Sequence, residues 1–293
     1  MAKKEGTNPA VVAQEIAQCL SEDSSFGGGS WRIEATGPFV NFFMEPTLLL
    51  KNLSDILSQK EQYGSQEKKN KKINLEFISA NPTGPITVGN ARAGSYGDTL
   101  GNVLKKAGYE VGKEYYINDV GNQVQKLAKS VVNACLVEKH MPIQFPDEDL
   151  YQGAYIQDIA REVERELGAS LDAVGLDQVQ AHAIALNMAR AEASVRALGA
   201  SYDTWFKEST LHESGEVKET LVLLKKAGVV FEKDGATWLK FAEGEEDVAV
   251  LVKSDGATSY LMNDIAYTRN KYGRGFDVAI NIWGADHHGD VPR

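Results

Sequence analysis

Ile73, Leu75 and Phe77 alternate with Asn74, Glu76 and Ile78, the period-two pattern of a strand that enters a buried sheet. The strand runs into Ser79-Ala80-Asn81-Pro82-Thr83-Gly84-Pro85, where prolines and a glycine force a tight, irregular loop. Beyond Thr87-Val88-Gly89-Asn90, the residues Leu100, Val103, Leu104 and Ala107 recur at helical spacing, and Gly108 is placed to stop the helix. Tyr109 to Ile117 predicts a second strand. A strand, loop, helix and strand in this order form a crossover that is almost always right-handed. It aims the helix N-terminus at the carboxyl edge of a parallel sheet. Free N–H groups and the helix dipole suit that place to an anionic phosphate. Loops of this kind occur in any α/β domain, so the loop alone does not define a ligand.

The flanking sequence predicts a smaller module ahead of this unit. Asn8-Pro9 is a cap followed by proline at the first helical position, and Val12, Ile16, Cys19 and Leu20 form one apolar face. Trp31 to Ala35 and Phe39 to Met44 predict short strands around Gly37-Pro38. Pro46 opens a helix to about Gln62, with Leu49, Leu50, Leu53, Ile56 and Leu57 expected to face inward. Lys68, Lys69, Lys71 and Lys72 cluster in a polar stretch that reads as a solvated linker or, alternatively, as a nucleic-acid backbone contact. The expected domains are a partial N-terminal module over 1–70 and a nucleotide-binding domain over 71–293.

Past the second strand, Tyr116-Ile117-Asn118-Asp119-Val120-Gly121-Asn122-Gln123 places polar groups at a carboxyl strand end, with Asn118 or Asp119 available as a helix cap. Helices over 124–139, from Tyr151 to Leu167 and from about Gln178 to Leu198 predict an insertion at about 140–200. Lys233-Asp234-Gly235-Ala236 is a hairpin signal within a short antiparallel ribbon. Tyr260 and Asp264 lie four apart on one face of a helix running to Tyr272, and 277–282 is an apolar strand ending at Trp283-Gly284. The fold class is thus α/β: a Rossmann-like parallel sheet with a helical and antiparallel insertion, preceded by a small partial α/β module.

Composition limits the function. A net charge of −10 over 293 residues argues against broad nucleic-acid binding, which needs basic surface, and suits a cationic small substrate. No apolar run reaches membrane-spanning length and no apolar signal core opens the chain, so the expectation is a cytoplasmic protein. Cys19 and Cys135 sit in apolar helical patterns and are expected to be buried, reduced thiols. The adjacent His287 and His288 point different ways and lack a third ligand, so no protein metal site is expected.

Ordered strings then carry a resemblance. S-A-N-P-T-G-P, Y-I-N-D-x-G, Y-x-G-x-Y-I, K-S-D-G, Y-L-x-x-D-I-A-Y and G-A-D-H-H-G-x-V-P-R together resemble the arginine-specific branch of the class I aminoacyl-tRNA synthetases, over nearly the whole chain. The resemblance implies an arginine–tRNA ligase: ATP and arginine condense to arginyl-adenylate, and arginine passes to tRNA(Arg). It implies ATP, with magnesium, as substrate, a monomer when full length, and an N-terminal module that touches tRNA. By motif match Thr87, Gly89, Asn90, Gly284 and His287 would face ATP, with Thr87 and Asn90 in the catalytic signature. Glu76, Ser79, Asn81, Tyr260, Asp264 and His287 would hold arginine. An acidic pocket suits a guanidinium, which pairs with carboxylates bidentately.

The sequence also departs from the family. The signature usually reads His-x-Gly-His, whereas here it reads Thr87-Val88-Gly89-Asn90, and no Lys-Met-Ser-Lys type loop occurs. The expectation is a fragment, inactive on its own in charging tRNA. A catalytically silent, synthetase-like binding module is the alternative, and another nucleotidyl transferase on the same fold is a third reading.

Overall fold

The computed structural model describes residues 6–23, 31–240 and 248–284. The chain divides into two compact units, Met1–Ser65 and Gln66–Arg293.

In the first unit, helix α1 (Pro9–Glu22) starts where the Asn8 side chain accepts the Ala10 N–H at 3.0 Å, and Pro9 occupies the first turn. Strands β1 (Trp31–Thr36) and β2 (Phe39–Met44) form an antiparallel hairpin. The buried face of α1 is Ala13 and Ala17, while Ile16 and Cys19 are exposed. The expected face is therefore rotated, because the two alanines allow the closest approach to another element. Helix α2 (Pro46–Gln59) overturns a second expectation: Leu49, Leu50, Leu53, Ile56 and Leu57 are all exposed. A two-stranded hairpin already packed on α1 has too little apolar area to cover another helix.

The second unit is built on a parallel sheet in the order β5-β4-β3-β9, with β3 (Lys72–Glu76), β4 (Glu110–Ile117), β5 (Thr204–Lys207) and β9 (Val278–Asn281). Leu75 and Phe77 are fully buried. Helix α3 (Val88–Lys106) crosses between β3 and β4 and turns a glycine stripe to the sheet. A Cβ on Gly94 would meet Ile78 Cδ1 at 2.9 Å, on Gly97 the Phe77 ring at 2.3 Å, and on Gly101 Lys113 Cε at 2.5 Å. Gly97→Ala is accordingly expected to destabilise the unit by about 1–3 kcal/mol, because the Phe77 ring it strikes is buried and stacked on Tyr202. The helix-propensity gain of at most about 1 kcal/mol does not offset this. An unchanged melting temperature in Gly97→Ala would show that α3 rides farther from the sheet than this packing requires.

The lysine-rich segment is not a free linker. Gln66 N–H donates to Lys106 O at 2.8 Å, Lys69 N–H donates to Gly108 O at 2.9 Å, and the Lys69 ammonium lies 4.5 Å from the Tyr109 ring centre. Gly108 has φ +91°, and a Cβ there would strike Glu67 O, so glycine is required where the segment crosses the end of α3.

Helices α4 (Asn122–Glu138), α5 (Ala154–Leu167) and α6 (Leu176–Ala197) fill the chain between β4 and β5 around Leu127, Val131, Ile159, Val163, Leu171 and Val179. Cys135 is buried in this core. Gly121, with φ +87°, stands at the N-cap of α4, not Asn118 or Asp119. Asp119 instead accepts the Ser209 N–H (2.9 Å) and hydroxyl (2.8 Å) at the start of α7 (Glu208–Glu213). After α8 (Glu216–Lys226), strands β6 (Val230–Lys233), β7 (Ala236–Lys240) and β8 (Val248–Val252) form an antiparallel sheet. Asp234 and Gly235 both take positive φ in its first turn, as a type I′ hairpin demands. Helix α9 (Tyr260–Gly273) starts at the cap Ser259 and packs Met262, Ala266 and Tyr267 against Phe206, Leu211 and Leu251.

Candidate active site

The carboxyl ends of β3 and β4 and the loop after β3 bring the sequence motifs together. Immediately after β3, Ile78 and Ser79 take φ +64° and +43°. Consecutive left-handed residues without glycine are strained, and most so at a β-branched isoleucine, so the surrounding structure must hold them. Ser79 Oγ donates to Glu76 Oε1 at 2.9 Å and accepts the Tyr116 N–H at 3.0 Å. Hydroxyls of Tyr202 and Tyr115 donate to the carbonyls of Phe77 (2.8 Å) and Ala80 (2.9 Å), and the buried Asn187 amide on α6 donates to Pro82 O at 2.8 Å. The Tyr155 ring lies 3.4 Å from where a Gly84 Cβ would stand, which gives the Y-x-G-x-Y-I string a role in covering this loop. Asn81 Nδ2 donates to Gln123 Oε1 at 2.7 Å, joining the S-A-N-P-T-G-P loop to the Y-I-N-D-x-G-x-Q loop.

Helix α3 begins at the other end of the loop. Thr87 is its N-cap and makes a reciprocal capping box with Asn90: Asn90 Oδ1 accepts the Thr87 N–H (3.0 Å) and hydroxyl (2.8 Å), and Thr87 Oγ1 accepts the Asn90 N–H at 3.4 Å. Thr87 and Gly89 are exposed, and a Cβ on Gly89 would meet only Thr87 Oγ1, at 3.7 Å. A ligand can therefore approach the backbone of this turn closely.

Glu76 ends β3 and is 8% exposed. Its Oε2 accepts from Lys271 Nζ at 2.6 Å, and that ammonium also donates to Asn281 Oδ1 at 2.8 Å. Asp264 and Tyr260 are exposed on the first turns of α9. Glu76 and Asp264 both act on the Tyr116 hydroxyl: burial chiefly, then Glu208, Asp264 and Glu76, push its pKa far up. Of these two carboxylates only Glu76 is buried. Gly284 lies just past β9, and His287 lies outside the described residues.

A polar network that sequence reasoning missed lies beneath this site. Tyr116 donates to Glu208 Oε2 at 2.8 Å, and Asn263 Nδ2 donates to Glu208 Oε1 at 2.5 Å. Burial, helped by Asp119, pushes the Glu208 carboxyl up in spite of those two donors. Tyr267 packs on Tyr116, with ring centres 4.3 Å apart and planes tilted by 36°, and donates to Glu114 Oε1 at 2.6 Å. Arg274 forks onto Glu114 at 2.5 and 2.8 Å. Burial raises the Glu114 carboxyl, but Arg274 and Tyr267 outweigh it and hold the group below its ordinary value. One signal could have revealed the network: Asn263, Tyr267 and Lys271 recur every four residues along α9, a stripe that hydrophobic periodicity passes over.

The parallel sheet, the clamped loop at its carboxyl edge and the capped helix that follows are those of a class I synthetase catalytic domain. The family model described as "tRNA synthetases class I (R), catalytic domain" matches residues 52–284, and the chain belongs to that family. A second model, "Arginyl tRNA synthetase N terminal domain", matches residues 1–44. An arginine–tRNA ligase of Thermotoga petrophila is 43% identical over 304 aligned residues, which take in 100% of this chain and 54% of that protein. A Campylobacter jejuni protein described as an arginyl-tRNA synthetase has a solved structure similar to this one, with 32% identity and a TM-score of 0.74 over 85% of this chain and 56% of that one. The Thermus thermophilus arginyl-tRNA synthetase shares the fold, with a TM-score of 0.59 and 23% identity over 93% of this chain and 46% of that one. The chain spans about half the length of the curated relatives it matches. Among the described residues, no helix is long and apolar enough to cross a membrane.

Proposed function

We propose that this chain carries the amino-acid and ATP site of an arginine–tRNA ligase, which activates arginine as arginyl-adenylate for transfer to tRNA(Arg). The observation that carries the reading is the convergence of Glu76, Ser79 and Asn81 on the strained, clamped loop that leads into the Thr87–Asn90 cap. ATP, with magnesium, would meet the first N–H groups of α3, with Thr87, Gly89, Asn90 and Gly284 around it. The arginine side chain would lie between Glu76 and the Tyr260–Asp264 face. In-line attack of the arginine carboxylate on the α-phosphorus asks for positioning and charge neutralisation more than covalent help, and neutral donors at Thr87 and Asn90 can supply part of both. With no Lys-Met-Ser-Lys type loop in its sequence, the chain on its own is expected not to charge tRNA. His287 is proposed for the same site on the motif alone.

Calorimetry on the chain, using non-hydrolysable adenylate analogues of arginine and citrulline, tests the reading. Citrulline keeps arginine's length but lacks its charge, so the arginine analogue is expected to bind more tightly. Asp264→Asn should weaken the arginine analogue by about 10- to 100-fold, the value of a hydrogen bond to a charged group, and leave the citrulline analogue nearly unchanged. Equal affinity of the parent chain for both analogues, or equal losses in the variant, would reject charge as the basis of selection.

A further inference from the structure

Lys271 stands out among the charged groups because it is fully buried, in a helix whose neighbouring positions offer ample access to water. A buried ammonium costs several kcal/mol unless it is well paired. Its pairing is specific: Nζ is 2.6 Å from Glu76 Oε2 and 2.8 Å from Asn281 Oδ1, and sits 4.2 Å from the centre of the Tyr267 ring. Glu76 is held from the other side as well, by Ser79 Oγ on Oε1 at 2.9 Å, and Ser79 is itself fixed by the Tyr116 N–H. One oxygen of the carboxylate is thereby committed to an internal cation, and the other is turned toward the loop after β3.

We propose that Lys271 is the positioning residue of the arginine pocket: by locking Oε2 of Glu76 it presents Oε1 alone, in one orientation, to the substrate guanidinium. The proposal rests on the assignment of Glu76 to the arginine pocket made above. It alters the expected recognition, because a guanidinium that took both oxygens of Glu76 would have to share Oε2 with the Lys271 ammonium, a like charge, whereas Oε1 is shared only with the neutral Ser79 hydroxyl. Glu76 then contributes mainly one directed hydrogen bond through Oε1, and an unshared two-oxygen grip falls to another carboxylate. It also accounts for a buried ion pair that apolar residues of similar volume could replace at little cost to folding.

A double-mutant cycle on arginine-analogue affinity, read by calorimetry with ATP affinity measured in parallel, tests this. Lys271→Met is expected to weaken the arginine analogue about 10- to 100-fold while ATP affinity stays within about twofold. In a Glu76→Gln background the same substitution should have almost no further effect, since Lys271 acts through Glu76. A purely structural lysine would lower the affinity for both ligands and give additive losses. Should Lys271→Met fold poorly, Asn281→Ala keeps both charges and removes only the second anchor of Nζ. It is expected to weaken the arginine analogue several-fold, about the worth of one hydrogen bond. Unchanged arginine affinity in both variants, or additive losses in the cycle, would overturn the role of Lys271 and leave the pocket standing. Failure of the parent chain to bind the arginine analogue would overturn the pocket itself, and the role of Lys271 with it.

Discussion

Arg274→Met is expected to destabilise the larger unit by about 2–4 kcal/mol at neutral pH, the cost of stranding the buried Glu114 carboxylate, reduced because Arg274 itself is exposed and water replaces part of its contact. For a unit of this size that is a fall in melting temperature of roughly 10 °C. Glu114 is 1% exposed, and its two oxygens take two guanidinium N–H groups and the Tyr267 hydroxyl. Methionine matches the length of the stem but leaves the tyrosine alone to oppose the desolvation of the carboxylate. The pH dependence follows from the depressed folded pKa of Glu114, where Arg274 and Tyr267 outweigh burial. The unfolded chain takes up the proton first, so this contribution is complete above the ordinary carboxyl value of about 4.3 and is lost as pH falls through the folded value. In the variant, burial without Arg274 raises the folded value of Glu114, so acidification relieves the stranded charge already above the ordinary carboxyl value, and the stability gap should narrow from there down through the depressed value of the parent. Adding Glu114→Gln to Arg274→Met should restore part of the loss at neutral pH. A gap of the same size at pH 7 and pH 3 would show that Arg274 contributes packing on Phe206 and Phe276 and little charge.

The sequence discloses the frame of this fold because its signals are local. The alternation from Ile73 gives a strand that ends at Glu76, two residues short of the pattern, while the Asp234-Gly235 turn and the helix from Tyr260 appear where their signals lie. Apolar faces mislead where burial depends on an absent layer. Leu49, Leu50, Leu53, Ile56 and Leu57 form a regular stripe on α2, yet nothing in the first unit has the area to cover it. On α1 a larger hydrophobic face loses to Ala13 and Ala17, since close approach favours the smaller side chains. The site is divided in the same way. Its loops can be read from motif strings, and Asn81 and Gln123 from two such strings do meet. Glu208 and Arg274 could not be read, because a lone charged residue in a helical stretch is ordinarily solvated, and Lys271 is marked only by its place on the Asn263–Tyr267 stripe. The three-dimensional neighbours Glu76 and Tyr116 reveal Lys271 and Glu208 as buried, and Glu114 shows that Arg274, itself exposed, serves a buried carboxylate. The strain at Ile78 and Ser79 is likewise invisible in the string, since neither residue type favours positive φ.

Asn90→Ala is expected to slow single-turnover formation of arginyl-adenylate by about 10- to 1,000-fold, the range for removing one preorganised donor from a developing charge. The measurement belongs in a protein that carries this chain together with the remainder its relatives possess, since they are nearly twice as long. Two roles compete at this residue. Asn90 Oδ1 is spent on the capping box, where it accepts from the Thr87 N–H and hydroxyl, so a phosphate contact would have to come from the Nδ2 donors. Loss of the cap alone costs about 1 kcal/mol of stability and leaves the chemical step untouched. Asn90→Asp separates the roles. Aspartate keeps the acceptor for the cap and sits favourably in the first turn of a helix, so stability should be held. It also replaces the amide donors with a negative charge facing the phosphates, so adenylate formation should slow at least as much as in the alanine variant. If Asn90→Asp forms adenylate at the parent rate, Asn90 is a helix cap and the phosphate contacts of the Thr-Val-Gly-Asn signature lie with Thr87 and the backbone. If both variants are slow but only alanine is unstable, the neutral asparagine serves as a donor where the family usually has histidine.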